Sequence, residues 1–426
     1  MLPVIYYVTF FLLLLVLLFR ARCNNISKYI VAIWLTSSVF ALVFYYLTEE
    51  MLYRRIDFIP FVFMHLCFIL SVFPVIRVKI PQKEYSMSQV NITLYKNILC
   101  FFIILSIVPF VENLKQVLSL GSSDSELAEI YDSKMYGGGF EVNWLSPIGM
   151  IGNSLDGVFL YFLIFSPFYL LTRKDVSMPF VLLSMIPVST HLLFQMAAAG
   201  RTTMVTFMLM SILLIFLFQK SIPINRFKKI RNFGIIAVAL MFMGLTAITL
   251  SRKEATNAGD DFAVVIGYYV AKGHLDFNEN LWHMKQHTEG DNSFSFLKSC
   301  MGLPTYKSFL EKEKYWNESR IGVPPGFFYT YIGDLYMDFG PIITLFLYIF
   351  VSFVSLFLIY KWNGNYSIVR CFLVFIYCST LIMGWSINIF KTYDGTKNML
   401  LSLLLLVFIQ TLSTTQNFIL NNKLNE

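Results

Sequence analysis

The sequence predicts an all-α, polytopic integral membrane protein, and three observations lead to this fold class. Of the 426 residues, 57% are hydrophobic and only 14% are charged, whereas soluble domains have about 45–50% apolar and about 25% charged residues. The apolar residues fall in continuous blocks, each long enough to cross the roughly 30 Å hydrocarbon core as a helix. Because a spanning segment must pair its own backbone groups, helices are the expected form of these blocks.

About eleven apolar blocks are expected to be membrane helices, and together they form a single membrane domain over residues 1–426. The first block lacks the basic start and the small-residue cleavage site of a signal peptide, so we interpret it as a span. The predicted spans are 3–19, 29–47, 58–76, 97–111, 151–171, 178–198, 202–218, 233–250, 340–360, 371–389 and 399–415.

The lysines and arginines predict the orientation of these spans. Seventeen of them lie in one alternating set of connections, and the other set holds only seven once the long segment 251–325 is set aside. Long segments are excluded because the positive-inside bias acts through short connections. The first set is therefore expected in the cytoplasm, with the N-terminus outside and the C-terminus inside. The net charge of +7 then reflects membrane topology rather than nucleic-acid binding.

Two connections on the predicted outer face are unusually long, namely 112–150 and 251–325. Connections between helices are usually short, and long ones tend to carry function. The first is acidic, and the second carries three of the five histidines. No cytoplasmic connection is long enough for a nucleotide-binding domain, and no phosphate-binding glycine motif occurs. The six cysteines show no disulfide or zinc-binding spacing, so no metal site is expected.

Arginines near the outer ends of spans are candidate phosphate ligands. Arg201 lies in the short turn between the sixth and seventh predicted spans, and Arg252 begins the long outer segment. A planar guanidinium group can bind a phosphate through two hydrogen bonds. An arginine at this depth can equally anchor a helix end at the membrane interface, so the residues alone leave both interpretations open.

A mixed aromatic and polar stretch occupies 268–278 within the long outer segment. The rings of Tyr268 and Tyr269 suit the apolar faces of sugars. His274 is a candidate general base, because an imidazole titrates near neutral pH. The simpler interpretation is that His274 is an ordinary polar residue of a loop.

The segment 322–341 is too rich in glycine, proline and acid to face lipid, yet it leads directly into a span. It is therefore expected to be buried against the bundle and to line a cavity at the outer face. Asp334 and Asp338 share one face if this segment is helical. An acid near membrane depth is a functional candidate, whereas an acid at a helix N-terminus can simply complement the helix dipole.

This combination of features resembles the Wzy-type oligosaccharide repeat-unit polymerases, which build O-antigen and capsule. The architecture agrees over nearly the whole chain. The resemblance is carried by Gly200-Arg201 at the start of a predicted span, by 267–278 (GYYVAKGHLDFN), and by Tyr329-Thr330 followed by 336–340 (YMDFG).

The resemblance implies a GT-C-like, inverting glycosyltransferase in the bacterial cytoplasmic membrane that needs neither a metal nor another cofactor. Its donor and acceptor would be undecaprenyl-diphosphate-linked oligosaccharides, and a chain-length regulator and a flippase would be its partners. The motif assigns diphosphate binding to Arg201, and position alone extends that role to Arg252 and Arg320. His274 and Asp338 are rival catalytic bases, and the glycan contacts would come from Tyr268, Tyr269, Asp334 and Tyr336.

Two other functions remain as alternatives. An O-antigen ligase would use the same donor and a similar outer segment, and the sequence separates it poorly from a polymerase. A flippase for lipid-linked oligosaccharides would also need a basic cavity. It is less favoured because the hydropathy pattern shows no two-fold repeat of the kind found in many transporters.

Overall fold

The protein was analysed as a computed structural model, which describes residues 1–48, 55–79, 90–120, 142–198, 200, 202–228, 262–306, 309–318, 329–362, 367–386, 388 and 391–425. Within these residues the regular structure is helical and contains no strand. The predicted all-α class is therefore confirmed for the described part of the chain.

The helices are numbered here in chain order, and one π-helical turn, Phe277–Leu281, follows α10 directly. They are α1 (Leu2–Arg20), α2 (Asn25–Thr48), α3 (Phe58–Arg77), α4 (Ile92–Leu120), α5 (Pro147–Val158), α6 (Leu160–Leu171), α7 (Met178–Leu183), α8 (Ile186–Ala197), α9 (Thr202–Phe218), α10 (Phe262–Asp276), α11 (Ser295–Cys300), α12 (Phe309–Glu318), α13 (Tyr331–Trp362), α14 (Ile368–Met383) and α15 (Tyr393–Asn425).

Seven helices in the described part are long and apolar enough to cross a membrane, which makes the protein a polytopic membrane protein. Helices α5 and α6 together are also long and apolar enough to form one more span. That span would be broken, because the two helices are bent by 72° relative to each other. The predicted span 233–250 lies outside the described residues. The seven are Leu2–Arg20, Asn25–Leu47, Phe58–Arg77, Ile92–Ser119, Met178–Ala197, Tyr331–Lys361 and Tyr393–Thr415.

Several helix boundaries differ from those predicted, and local hydrogen bonds explain two of them. The span predicted over 97–111 is the longer helix α4, because Asn91 caps it by accepting hydrogen bonds from the backbone N–H groups of Thr93 and Leu94. The helix that contains the span predicted over 340–360 starts earlier, at Tyr331, and its backbone is interrupted at Gly340. At the start of this helix, Thr330 Oγ1 accepts a hydrogen bond from the Gly333 N–H.

The chain divides into two compact units, and the first comprises Met1–Ile80, Asp260–Gly364 and Ile376–Lys397. In this unit α2 packs against α1 and α10, and α3 packs against α13. Its core contains the fully buried rings of Tyr7, Phe11 and Trp34. The indole N–H of Trp34 donates to the Leu381 carbonyl at 2.8 Å, which satisfies the one polar atom of that ring.

The second unit comprises Pro81–Gly259, Asn365–Phe375 and Asn398–Glu426. In it α4 packs against α5 and α8. The carboxylate of Asp156 in α5 is fully buried, and its Oδ1 accepts a hydrogen bond from Ser106 Oγ at 2.9 Å. The hydroxyl groups of Tyr95 and Ser166 form a second buried contact at 2.7 Å.

One face of α13 carries a stripe of exposed apolar side chains. Ile342, Phe346, Phe350 and Phe353 follow one another at helical spacing and are 64–70% exposed. A soluble protein rarely leaves such a continuous apolar surface in contact with water. The stripe is the expected lipid-facing side of a membrane helix.

Candidate functional site

The two predicted acids lie in a short helical segment at the start of α13. Gly340 interrupts this helix with φ 70° and ψ −177°, a backbone conformation with positive φ that favours glycine. Asp334 and Asp338 precede the interruption and are separated by one helical turn, as the sequence predicts for a helix. Both side chains are buried, with 0% and 1% exposure.

The interruption at Gly340 leaves backbone carbonyl groups at the end of the first segment without helical partners. A turn over residues 288–293 supplies those partners. The N–H of Thr288 donates to the Met337 carbonyl, and the N–H of Glu289 donates to the Asp338 carbonyl, each at 3.0 Å. The turn is thereby docked onto the helix beside the two acids.

The same turn also binds the carboxylate of Asp338. The backbone N–H of Asn292 donates to Oδ1 and that of Ser293 donates to Oδ2, both at 2.9 Å. The Thr288 hydroxyl group donates to Oδ1 as well. Three donors therefore satisfy both oxygens of a buried carboxylate, which otherwise would be costly to bury.

Asp334 is held by a different set of donors. Lys391 Nζ lies 3.1 Å from Oδ1, and the Asn388 N–H donates to Oδ2 at 3.1 Å. The side-chain amide of Asn292 donates to Oδ1 at 3.1 Å. Asp334 and Lys391 thus form a buried ion pair whose remaining acceptor positions are also occupied.

Asn292 extends this arrangement to a second lysine. Its Oδ1 accepts a hydrogen bond from Lys312 Nζ at 2.7 Å, while its Nδ2 donates to Asp334. Together with Asp338, these residues form what we call the lysine–aspartate network. Its members are Asn292, Lys312, Asp334, Asp338 and Lys391.

Aromatic rings surround the amine of Lys312. Its Nζ lies 4.4 Å from the ring centroid of Trp316, one helical turn further along α12, and 5.6 Å from that of Tyr306. The pKa of Lys312 falls to about 7, because burial disfavours the ammonium ion and the charge of nearby Lys391 repels it. The charges of Asp334 and Asp338 act in the opposite direction. Burial and the charge of Asp338 raise the pKa of Tyr306.

The predicted glycan-binding tyrosines have different environments. Tyr336 is 3% exposed. Its ring stacks on Trp282 with centroids 5.4 Å apart, and its hydroxyl group donates to the Trp282 carbonyl at 3.1 Å. Tyr269 in α10 is 39% exposed, and Tyr268 lies in the same helix with its side chain outside the description. Glycan binding by these residues stays a prediction.

His274 lies in the core of the first unit rather than in a loop. Its Nδ1 is 2.8 Å from the Tyr7 hydroxyl oxygen and its Nε2 is 2.6 Å from Ser37 Oγ. The side chain has no exposed surface. Both ring nitrogens are therefore occupied by neutral hydroxyl groups, and the role of His274 as a base stays a prediction.

The three predicted diphosphate ligands, Arg201, Arg252 and Arg320, lie outside the described residues. Sequence reasoning missed the residues that complete the network, including Asn292, Lys312 and Lys391. One local signal was present, because Lys312 and Trp316 have the i,i+4 spacing at which side chains meet on a helix. A second was the general rule that two buried acids require cations or other donors nearby.

Comparisons with protein-family models, with curated proteins and with solved structures each found no match. Within the described residues, no group of three or more His, Cys, Asp or Glu side chains is placed to hold a metal ion. The network combines a fixed ion pair with an amine whose pKa is near neutrality, which suits proton transfer and the binding of polar groups.

Proposed function

We propose that this chain is a membrane glycosyltransferase that polymerises undecaprenyl-diphosphate-linked oligosaccharide repeat units into O-antigen or capsular polysaccharide. One observation carries the proposal. The lysine–aspartate network is built around Asp334 and Asp338, at the start of a membrane helix and within the segment 329–340 that carries the strongest motif of the resemblance. A buried polar network at such a position is a functional candidate by default.

The chemistry of the reaction makes demands that such a site can meet. A sugar hydroxyl group attacks the anomeric carbon of the donor, and the diphosphate departs with the bonding electron pair. The attack needs a base within about 3 Å of the hydroxyl group. Fixed cations stabilise the departing charge, and a well-placed donor contributes about 3 kcal/mol in comparable sites. Arg201, Arg252 and Arg320 are the residues proposed for this second task.

The proposal includes a topology of eleven spans in the bacterial cytoplasmic membrane, with the N-terminus outside. Reporter fusions test this topology. Alkaline phosphatase, which is active only outside the cytoplasm, should be active when fused after residue 290 and inactive when fused after residue 174 or residue 423. Activity at residue 423 together with inactivity at 290 would invert the proposed orientation and move the network to the cytoplasmic side.

The decisive experiment is a gel of surface polysaccharide from a deletion strain complemented with wild type or variants. Deletion should leave single repeat units on the cell surface, and the wild-type gene should restore the ladder of longer chains. Arg201→Ala and Arg252→Ala should fail to restore it at normal protein levels. Arg173→Ala is the matched control, because Arg173 pairs with the nearby Asp175 on the predicted cytoplasmic side and should leave the ladder unchanged.

The alternatives give different results in the same experiment. A flippase mutant would have no repeat unit at the surface, because the unpolymerised units would stay in the cytoplasmic leaflet. A ligase mutant would accumulate polymer that remains on undecaprenyl diphosphate instead of lipid A. Either pattern would displace the polymerase proposal.

A further inference from the structure

The two lysines of the lysine–aspartate network have chemically different partners. Lys391 Nζ lies 3.1 Å from a carboxylate oxygen of Asp334, and the two side chains form an ion pair. Lys312 Nζ instead donates to the neutral amide oxygen of Asn292 at 2.7 Å. In the described part of the chain, Lys312 forms no ion pair with a carboxylate within 4.0 Å. Of the two lysines, Lys312 is therefore the one whose hydrogen-bond partner is neutral.

In the described part of the chain, charged and aromatic groups from three other segments lie near Lys312. Asp334 and Asp338 lie on α13, Lys391 lies just before α15, and Tyr306 precedes α12. The two acids favour the ammonium ion, whereas Lys391 and burial disfavour it. The balance brings the pKa of Lys312 to about 7, far enough below the ordinary lysine value for a neutral amine to be available near neutral pH.

Lys312 is also better placed to accept a proton than the two bases expected from the sequence. Both oxygens of Asp338 are occupied by the turn at 288–293. Both ring nitrogens of His274 are hydrogen-bonded, and its side chain has no exposed surface. Lys312 is only partly buried. When its amine is neutral, it keeps a lone pair in addition to the N–H that bonds to Asn292.

We propose that Lys312 is the catalytic base of the transferase reaction, with Asn292 as the residue that positions its amine. This inference rests on the proposed function. The oxygen of the attacking hydroxyl group forms a bond to the anomeric carbon, and the bond from that carbon to the diphosphate oxygen breaks. The proton of the hydroxyl group passes to Nζ, which becomes an ammonium ion. The diphosphate takes the electron pair, and Lys312 later releases its proton to water.

The first test measures polymerisation in proteoliposomes supplied with lipid-linked repeat units extracted from the deletion strain. The wild-type rate should rise with pH through about 7 and level off above it, because the base must be neutral. Lys312→Arg keeps a cation that stays protonated in this range, and it should lower the rate by about 100-fold or more at every pH. Lys314→Arg, two residues along the same helix and exposed, should keep both the wild-type rate and its pH dependence.

The second test does not depend on activity. Acetic anhydride acetylates only neutral amines, so the extent of labelling at each pH reports the protonation state of each lysine in the wild-type protein. Mass spectrometry should give a labelling midpoint for Lys312 near pH 7, well below the value of about 10.4 for a lysine in a model peptide. A midpoint for Lys312 near that model-peptide value would overturn the inference even if Lys312→Arg were inactive.

The outcomes separate this inference from the proposed function. If wild type polymerises and Lys312→Arg does so at the wild-type rate, the base is another residue and the transferase function stands. If wild type forms no polymer from repeat units that a known polymerase can extend, the proposed function fails and the inference fails with it. A normal labelling midpoint overturns only the role of Lys312.

Discussion

A Cβ atom added to Gly340 would lie 2.7 Å from Nε2 of His287. This is closer than real Cβ contacts allow, so the His287 ring would have to move to admit a side chain at position 340. Gly340 also has a positive φ of 70°. The position is therefore restricted twice, once by the backbone conformation and once by the neighbouring imidazole ring.

Gly340→Ala should destabilise the protein by about 1–3 kcal/mol, because φ 70° with ψ −177° is a backbone region that essentially only glycine adopts, and the His287 ring must also move. Gly302→Ala is the matched control. Gly302 has a similar φ of 71°, but a Cβ atom added there would meet nothing within 4 Å, so no neighbouring group has to move. Unfolding titrations in detergent and SDS should show the larger loss for Gly340→Ala, and equal losses would contradict the steric argument.

Asp338→Asn should lower the free energy of unfolding by about 2–3 kcal/mol. The carboxylate accepts three hydrogen bonds, and an amide group can accept at only one of its two terminal atoms. One backbone N–H of the turn would then face another donor, which leaves a buried donor without a partner. Asp394→Asn changes an exposed acid that pairs with Lys397, and it should change stability by less than about 1 kcal/mol.

Lys391→Met should cost about 3–5 kcal/mol, because it leaves the buried carboxylate of Asp334 without its cation. The double variant Asp334→Leu, Lys391→Met removes both charges and should cost less than the sum of the two single changes. Detergent unfolding of the four proteins gives the coupling energy between the two residues. If the losses of unfolding free energy in the two single variants add up to the loss in the double variant, the interaction between Asp334 and Lys391 contributes no stability of its own.

Diethyl pyrocarbonate should modify His283 and spare His274 in the folded protein. The side chain of His283 is 48% exposed, whereas His274 is fully buried with both nitrogens hydrogen-bonded. Peptide mapping after brief treatment at pH 7 would detect each adduct, and the detergent-unfolded protein supplies the fully reactive reference. Rapid modification of folded His274 would show that this residue is open to substrate.

Much of the fold could be predicted from the sequence, because membrane helices are recognisable as local apolar blocks. The helical spacing of Asp334 and Asp338 was equally local. Their partners were not, since Asn292 and Lys391 are separated from Asp334 by 42 and 57 residues. Nothing in a short window of sequence indicates which distant amide or lysine will meet a given acid.

His274 illustrates a different difficulty. The sequence analysis places the apolar residues before His274 in a long outer connection, because polar and charged residues on both sides make this stretch less hydrophobic than a membrane span. In the structure this stretch is the helix α10, which packs against α2. The hydroxyl groups of Tyr7 and Ser37 satisfy its histidine, and only the packing of three helices brings these groups together.

The turn at 288–293 binds Asp338 largely through main-chain N–H groups, which every amino acid except proline possesses. Substitution at 293 can therefore preserve the contact, whereas position 338 needs an acid and position 340 needs a glycine. Over evolutionary time position 293 is expected to vary in sequence while this acid and glycine persist. Distant relatives of this protein would then be recognisable by an acid two residues before a glycine near the start of a membrane helix, even where little other sequence similarity remains.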